Sequence, residues 1–182
     1  EAARRHGIAV YTTPEEVVEP VAQMTIAMML ALARQFPQHL AGFRSGIWKK
    51  EIGSLLSEWT MGLVGFGRIG RAVERYLRAF GSRVLVADPD VGRDAVPKPV
   101  EWRELPSLLA EADLVSLHVS RPKDAGVLMG RREFAAMKPG SWFVNTARGY
   151  LVDETALFDV LQSGHLAGAA LDVFADEPYT GR

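Results

Sequence analysis

Short apolar runs alternate with segments of helical periodicity along most of this 182-residue chain. The runs suit buried parallel strands and predict them at residues 60–64, 83–87, 114–118, 142–146 and 168–173, with a short strand near Pro99-Val100. The spacing of apolar positions between the runs predicts helices at residues 68–80, 106–111, 131–137 and 153–163. This alternation favours an α/β fold, a doubly wound parallel sheet in three α/β/α layers with right-handed crossovers.

The beginning of the chain follows a different pattern. Ile8–Tyr11 predicts a strand that ends at Pro14, and Pro20 suits the first turn of a helix running to about Arg34. That helix is apolar almost all round, which predicts burial on several sides, within the domain or at an interface. A second, shorter helix is predicted at residues 38–45. The predicted division of the single domain is a hinge strand and helical lead-in at residues 1–57 and a sheet core at residues 58–182.

The most informative motif is Gly65-Phe66-Gly67-Arg68-Ile69-Gly70, set between the apolar run Met61–Val64 and a helix. In a strand–loop–helix setting, Gly65 permits a tight turn and Gly67 lets the backbone approach a pyrophosphate. Gly70 lets the helix pack close to the strand, and the helix N-terminus presents free N–H groups to the anion. The motif therefore predicts a dinucleotide-binding Rossmann fold.

Asp88 ends the next predicted strand, 18 residues beyond Gly70. This spacing is close to the roughly 20 residues expected of the acid that binds an adenosine ribose. A carboxylate there accepts hydrogen bonds from both ribose hydroxyls and repels a 2′-phosphate. The sequence therefore predicts NAD, rather than NADP, as the cofactor.

Composition narrows the range of partners. The net charge is −1 without a block of like charges, so neither nucleic acid nor an anionic membrane surface is an expected partner. The chain has no cysteine, which excludes disulfides and thiolate metal sites and suits the cytoplasm. Its four histidines lack metal-ligand spacing, so no metal is expected. The most apolar run, Val21–Ala33, is too short to span a bilayer of ~30 Å.

With these residues in hand, the chain resembles the D-isomer-specific 2-hydroxyacid dehydrogenases, in particular the 3-phosphoglycerate dehydrogenases. The resemblance runs from about Gly7 to Pro178. It depends on three motifs and their flanks: the glycine motif, Asn145-Thr146-Ala147-Arg148-Gly149 with Val152-Asp153-Glu154, and Ala170-Leu171-Asp172-Val173-Phe174 with Glu177-Pro178. It implies hydride transfer between NAD(H) and a small D-2-hydroxy acid or 2-oxo acid, by a homodimer.

The resemblance also assigns roles to single residues. Arg68 and Ile69 would offer backbone N–H groups to the pyrophosphate, and Asp172 would hold the nicotinamide carboxamide. Arg148, counted with both the cofactor-binding and the catalytic residues, would bind the carboxylate and carbonyl oxygen of the 2-oxo acid. Glu177 would orient and charge-stabilise a catalytic histidine. Further positions would line the cofactor: Val119, Thr146 and Ala147.

Several features depart from the family pattern. The family's catalytic histidine lies beyond Pro178, and its substrate domain precedes the matched region. The chain is therefore expected to be a piece of a longer protein. By itself, this piece is expected to bind NAD but not to turn substrate over. His118 ends a predicted strand, where the family has a histidine without a catalytic role. Smaller departures are Gln23 for a usual glutamate, Ser120 for a common proline, and the acidic pair Glu15-Glu16.

Two alternatives stay open at this point. The first is a dinucleotide-sensing binding module like the transcriptional corepressors that share this fold, since those proteins keep the counterparts of Arg148 and Glu177. The second is an NADP-dependent glyoxylate or hydroxypyruvate reductase, which Asp88 opposes. The substrate domain selects the 2-hydroxy acid, so its identity is left undetermined.

Overall fold

The computed structural model describes residues 2–11, 13, 15–50, 52–120, 124 and 126–180. The helices are α1 (Ala2–Arg5), α2 (Val18–Ala33), α3 (Phe36–Arg44), α4 (Arg68–Ala79), α5 (Leu105–Glu111), α6 (Arg131–Ala136) and α7 (Glu154–Gln162). The strands are β1 (Thr60–Val64), β2 (Arg83–Ala87), β3 (Glu101–Trp102), β4 (Leu114–Leu117), β5 (Trp142–Asn145) and β6 (Gly168–Leu171).

The strands form one parallel sheet in the order β3-β2-β1-β4-β5-β6. One apolar cluster joins α2 and α4 to one face of the sheet, and a second joins α5, α6 and α7 to the other face. This is the predicted three-layer, doubly wound fold. Because all the strands are parallel, the loops after β1, β2, β4, β5 and β6 meet at one edge of the sheet, where such folds bind ligands.

The predicted elements of the sheet core are confirmed, and most of their ends agree within one or two residues. The short strand forms at Glu101–Trp102 rather than at Pro99-Val100. Its pairing with β2 joins Leu85 to Glu101 and Val86 to Trp102. Pro99 lacks an N–H group, so it cannot donate to the ladder, and pairing begins just beyond it.

The strand predicted at Ile8–Tyr11 is wrong. These residues have irregular structure, and the side chains of Ile8, Val10 and Tyr11 are 60%, 68% and 90% exposed. A strand needs a neighbour for its backbone groups, and none pairs with this segment among the described residues. Pro14, which was expected to end the strand, lies outside the described residues.

Helix α2 begins two residues before Pro20 and packs mainly on α4 and on strands β5 and β6. Its buried positions form one broad face: Ala22, Thr25, Ile26, Met29, Leu32 and Ala33. Gln23, Met24 and Ala27 remain exposed. The helix is therefore largely covered by its own domain, as one of the two predicted arrangements required. No helix among the described residues is long and apolar enough to cross a membrane.

Candidate functional site

The loop that joins β1 to α4, residues 65–70, is called the glycine loop below. Gly65 has a φ of +98°, and a Cβ atom there would lie 2.8 Å from the carbonyl carbon and oxygen of His118. A Cβ atom at Gly70 would lie 2.3 Å from the carbonyl oxygen of Gly65. Both positions therefore need glycine, because the backbone turns tightly and the helix approaches the strand closely, as the motif predicts.

Gly67 differs from the other two glycines of the motif, Gly65 and Gly70. It is exposed at the N-terminus of α4, and a Cβ atom there would meet nothing within 4 Å. The residues that follow, Arg68 and Ile69, lie in the first turn of α4, where backbone N–H groups have no intrahelical acceptor. The loop thus presents open space beside free donors and the positive end of a helix dipole, which suits a pyrophosphate.

Asp88 follows β2 and is half-buried. Its Oδ2 accepts a hydrogen bond of 2.7 Å from the N–H of Phe66, and its Oδ1 accepts one of 2.9 Å from the N–H of Asp90. The carboxylate therefore ties the glycine loop to the turn after β2. Each oxygen keeps a second lone pair, so the group can still accept hydrogen bonds from ribose hydroxyls.

A cleft of about 480 Å³ opens beside Asp88 and has an apolar floor. Its charged lining residues are Asp88, Asp90, Arg103 and Glu104. Val119, one of the predicted cofactor residues, lines the cleft together with Trp102 and Leu105. A cleft lined by apolar residues and a carboxylate suits an adenosine group, with the base in the cleft and the ribose on Asp88.

His118 lies between β4 and Val119, with its backbone against Gly65. Both ring nitrogens are buried without a hydrogen-bond partner among the described residues. Burial lowers the pKa of His118 to about 4, so the ring is neutral near pH 7. A buried, neutral imidazole is a poor proton donor near pH 7.

The turn after β5, residues 145–149, is called the arginine turn below. The Asn145 side chain closes it, since Oδ1 accepts a 3.0 Å hydrogen bond from the N–H of Ala147 and Nδ2 donates one of 3.0 Å to the carbonyl of Arg148. Thr146 is anchored from α2 by a buried hydrogen bond of 2.8 Å between its hydroxyl and that of Thr25. Arg148 is exposed, and its Nη1 donates to the Ala147 carbonyl at 2.6 Å.

The segment after β6, residues 172–177, is called the acidic loop below. It passes directly over Gly149, where a Cβ atom would lie 1.9 Å and 2.0 Å from the carbonyl carbon and oxygen of Phe174. Two carboxylates hold the loop, because Glu177 accepts a 3.0 Å hydrogen bond from the N–H of Phe174 and Glu154 accepts one of 2.7 Å from the N–H of Ala175. The contact at Gly149 therefore brings the arginine turn and the acidic loop together.

The predicted site residues thus fall into two groups along one edge of the sheet. Asp88 and Val119 line the cleft near the ends of β2 and β4, and Asp88 accepts a hydrogen bond from the glycine loop after β1. The arginine turn and the acidic loop follow β5 and β6, and the N–H of Asp172 donates to the Asn145 carbonyl at 3.0 Å. Arg148, Asp172 and Glu177 are all exposed.

Sequence reasoning assigned no individual role to four residues that position this site: Thr25, Asn145, Gly149 and Glu154. Asn145 carried a signal, since an Asn at the end of a strand often bonds the backbone two residues on. Gly149 and Glu154 stand inside quoted motifs, but their partners depend on the path of the acidic loop. Thr25 reads as a polar interruption in an apolar helix, and its buried partner is 121 residues away.

Comparison with known proteins gives consistent results. The family model for the NAD-binding domain of D-isomer specific 2-hydroxyacid dehydrogenases matches residues 26–182. A glyoxylate reductase from Thermococcus litoralis is 36% identical over 98% of this chain and 57% of its own length. A D-3-phosphoglycerate dehydrogenase from Mycobacterium tuberculosis is 39% identical over 99% of this chain and 35% of its own.

Solved structures agree with this. A Thermus thermophilus protein superposes with a TM-score of 0.90 at 42% identity, over 100% of this chain and 58% of its own. A D-lactate dehydrogenase from Aquifex aeolicus, complexed with NAD and lactic acid, gives a TM-score of 0.86 at 34% identity, over 97% of this chain and 54% of its own. The chain therefore spans from about a third to nearly three fifths of the length of these proteins.

Proposed function

Since the chain belongs to the D-isomer-specific 2-hydroxyacid dehydrogenase family as an NAD-binding domain, we propose that it holds NAD(H) for hydride transfer to and from C2 of a small acid. The substrate would be a D-2-hydroxy acid or its 2-oxo acid, with 3-phosphoglycerate as the first candidate. Residues 1–57 would be the lead-in and residues 58–182 the sheet core of this domain. The rest of the parent protein would supply a separate substrate domain and the catalytic histidine.

The observation that carries the proposal is the open position of Gly67 between two crowded glycines. The surrounding backbone has no room for Cβ atoms at Gly65 and Gly70, yet leaves the space over Gly67 free. Glycine is favoured at the N-cap of α4, which Gly67 occupies, and here it also leaves the N-terminus of the helix open to a ligand. Beside the acceptor Asp88 and the adjacent cleft, these residues fit a dinucleotide with its pyrophosphate over Gly67.

When bound, the nicotinamide ring would give or take the hydride. The chain's own residues would do the rest of the work at this edge of the sheet. Arg148 would bind the carboxylate and carbonyl oxygen of the substrate through its forked guanidinium. Glu177 would stabilise the protonated form of the catalytic histidine, and Asp172 would hold the carboxamide. Thr146 and Ala147 would line the nicotinamide end.

Cofactor choice tests the proposal. By calorimetry, the chain should bind NAD⁺ more tightly than NADP⁺, because Asp88 accepts from the ribose hydroxyls and repels a phosphate. Asp88→Asn is a better test than removal of the side chain, since the amide oxygen can keep the bond from Phe66. This variant should reduce the ratio of NAD⁺ affinity to NADP⁺ affinity by about tenfold, the equivalent of roughly 1.4 kcal/mol. Equal affinity for the two cofactors in the unaltered chain would contradict the proposal.

A reductase acting on glyoxylate or hydroxypyruvate is the second candidate, because relatives with those names are as similar as the phosphoglycerate dehydrogenases. The hydroxypyruvate reductase of Thermotoga maritima is 37% identical over 99% of this chain. Steady-state assays of the parent with 3-phosphoglycerate, glyoxylate and hydroxypyruvate would separate the candidates. The highest kcat/KM identifies the substrate class, and cofactor binding is expected in every case.

We also propose that the parent is a homodimer. Large apolar side chains are exposed along α3 and the segment after it: Phe36, Leu40, Phe43, Ile47, Trp48 and Ile52. Trp48 is 80% exposed and touches Phe43 ring to edge at a centroid distance of 5.3 Å. Light scattering should show a dimer that Trp48→Glu dissociates, whereas a monomer at high concentration would contradict the proposal. A cytoplasmic location stays a prediction.

A further inference from the structure

Arg103 is the one cation among the described residues that line the cleft beside Asp88. The pairing of Val86 with Trp102 places Arg103 next to Ala87, the residue before Asp88. The N–H of Arg103 donates to the Val86 carbonyl at 2.8 Å, which extends the ladder by one residue. Adjacent strands lie about 4.8 Å apart, so the backbone of Arg103 lies close to that of Asp88, the acid that is expected to bind the ribose.

The guanidinium of Arg103 is turned toward two glutamates. Its Nε donates to Glu111 at 2.9 Å, and its Nη2 donates to Glu101 at 2.6 Å. The remaining nitrogen, Nη1, donates to the Trp102 carbonyl at 3.0 Å. All three nitrogens are therefore engaged, and the side chain is 28% exposed.

Arg83 completes the cluster from the neighbouring strand. It donates to Glu101 at 2.8 Å and to Glu111 at 3.4 Å, but it does not line the cleft. Hydrogen bonds from Arg83 and Arg103 lower the pKa of Glu101 to about 2, so this carboxylate is ionised throughout the usual range. The charges of the two arginines and the two ionised glutamates cancel. The net charge of the cleft therefore comes from Asp88, Asp90 and Glu104.

We propose that Glu101 and Glu111 determine cofactor choice at a distance, by holding Arg103 where it cannot bind the 2′-phosphate of NADP. The inference assumes the proposed function and adds a second determinant to Asp88. An arginine near the end of the second strand is the usual partner of a 2′-phosphate, because its fork matches phosphate geometry. Here that partner is present but is neutralised and turned aside, so Glu101 and Glu111 act as positioning residues.

The test compares variants that change charge equally. In Glu101→Gln/Glu111→Gln, NADP⁺ affinity measured by calorimetry should rise about tenfold, the effect of one charge-assisted contact, while NAD⁺ affinity stays within about twofold. Adding Arg103→Met should abolish the gain. Adding Arg83→Met to the double variant, in place of Arg103→Met, removes the same charge from the cluster, but Arg83 does not line the cleft. The gain in NADP⁺ affinity should therefore remain.

The results separate this inference from the proposed function. If the double variant gains no NADP⁺ affinity, or if Arg103→Met and Arg83→Met have equal effects on the gain, the inference is wrong although NAD⁺ still binds. Failure of the unaltered chain to bind NAD⁺ would instead overturn the proposed function. Should the double variant unfold, Glu111→Gln with and without Arg103→Met makes the same comparison, with an expected gain of about threefold.

Discussion

The glycine loop and the arginine turn lie at the same edge of the sheet, yet they are built differently. Around the glycine loop, the groups expected to bind ligand are backbone N–H donors and a half-buried carboxylate, held by contacts that leave no room for a Cβ at Gly65 or Gly70. Around the arginine turn the backbone is equally crowded at Gly149, but Arg148 and Glu177 are exposed. Packing holds the first region in place within this chain, whereas the charges of the second are expected to act only when the rest of the proposed parent protein covers them.

The largest expected effect of a single change is at Arg148, and it concerns the activity of the proposed parent enzyme. Arg148→Ala should reduce kcat/KM by about 10²–10³-fold, as loss of one preorganised electrostatic contact to the reacting oxygen does. Arg131→Ala is the matched control, because Arg131 is an exposed arginine paired with Asp159 on α7 and neither is a predicted site residue. Steady-state kinetics in which both variants keep full activity would contradict the assignment of Arg148.

Gly149→Ala should destabilise the arginine turn by forcing the acidic loop away. Its Cβ would overlap the Phe174 carbonyl, so the free energy of unfolding should fall by about 3 kcal/mol, at the upper end for overpacking. Gly92→Ala is the control, since a Cβ there meets nothing within 4 Å. Urea unfolding that gave both variants the same stability would show that the acidic loop does not lie over Gly149.

His118 should make the region of the glycine loop sensitive to acid. In the unfolded chain its pKa is about 6.5, and in the folded chain burial lowers the pKa to about 4. Between these values the unfolded state binds the proton first, so stability falls as pH falls, by about 2 kcal/mol at pH 5. Urea unfolding at pH 7.5 and pH 5 should show this loss in the unaltered chain. In His118→Gln the loss should be smaller by that amount, and an equal loss would refute the burial of the ring.

Much of this fold follows from the sequence because buried parallel strands are short apolar runs. The strands at residues 60–64 and 83–87 form with the predicted ends. Ile8–Tyr11 has the same apolar character but lies exposed, because periodicity cannot tell whether a run finds a neighbouring strand. The need for glycine at two positions of the motif also follows from the sequence, because its causes are local. Gly65 has a positive φ, and Gly70 lies against the Gly65 carbonyl.

The rest of the site depends on which distant segments meet. Gly149 needs glycine only because the acidic loop crosses it, and Thr25 matters only because α2 reaches the arginine turn. The position of Arg103 depends on the register between β2 and β3, which a two-residue strand does not reveal. Such pairings are properties of the assembled sheet, and residue spacing along the chain does not encode them.

The proposed function requires above all that the glycine loop of this chain bind the pyrophosphate, and Gly67→Ala tests this directly. Calorimetric titration with NAD⁺ should show one site per unaltered chain. The added Cβ meets no protein atom within 4 Å, so the variant should lower the melting temperature by at most about 4 °C, the cost of a weaker N-cap on α4. It should bind NAD⁺ at least about tenfold more weakly. A variant that bound NAD⁺ as tightly as the unaltered chain would show that the pyrophosphate does not lie over Gly67, which would contradict the proposed function.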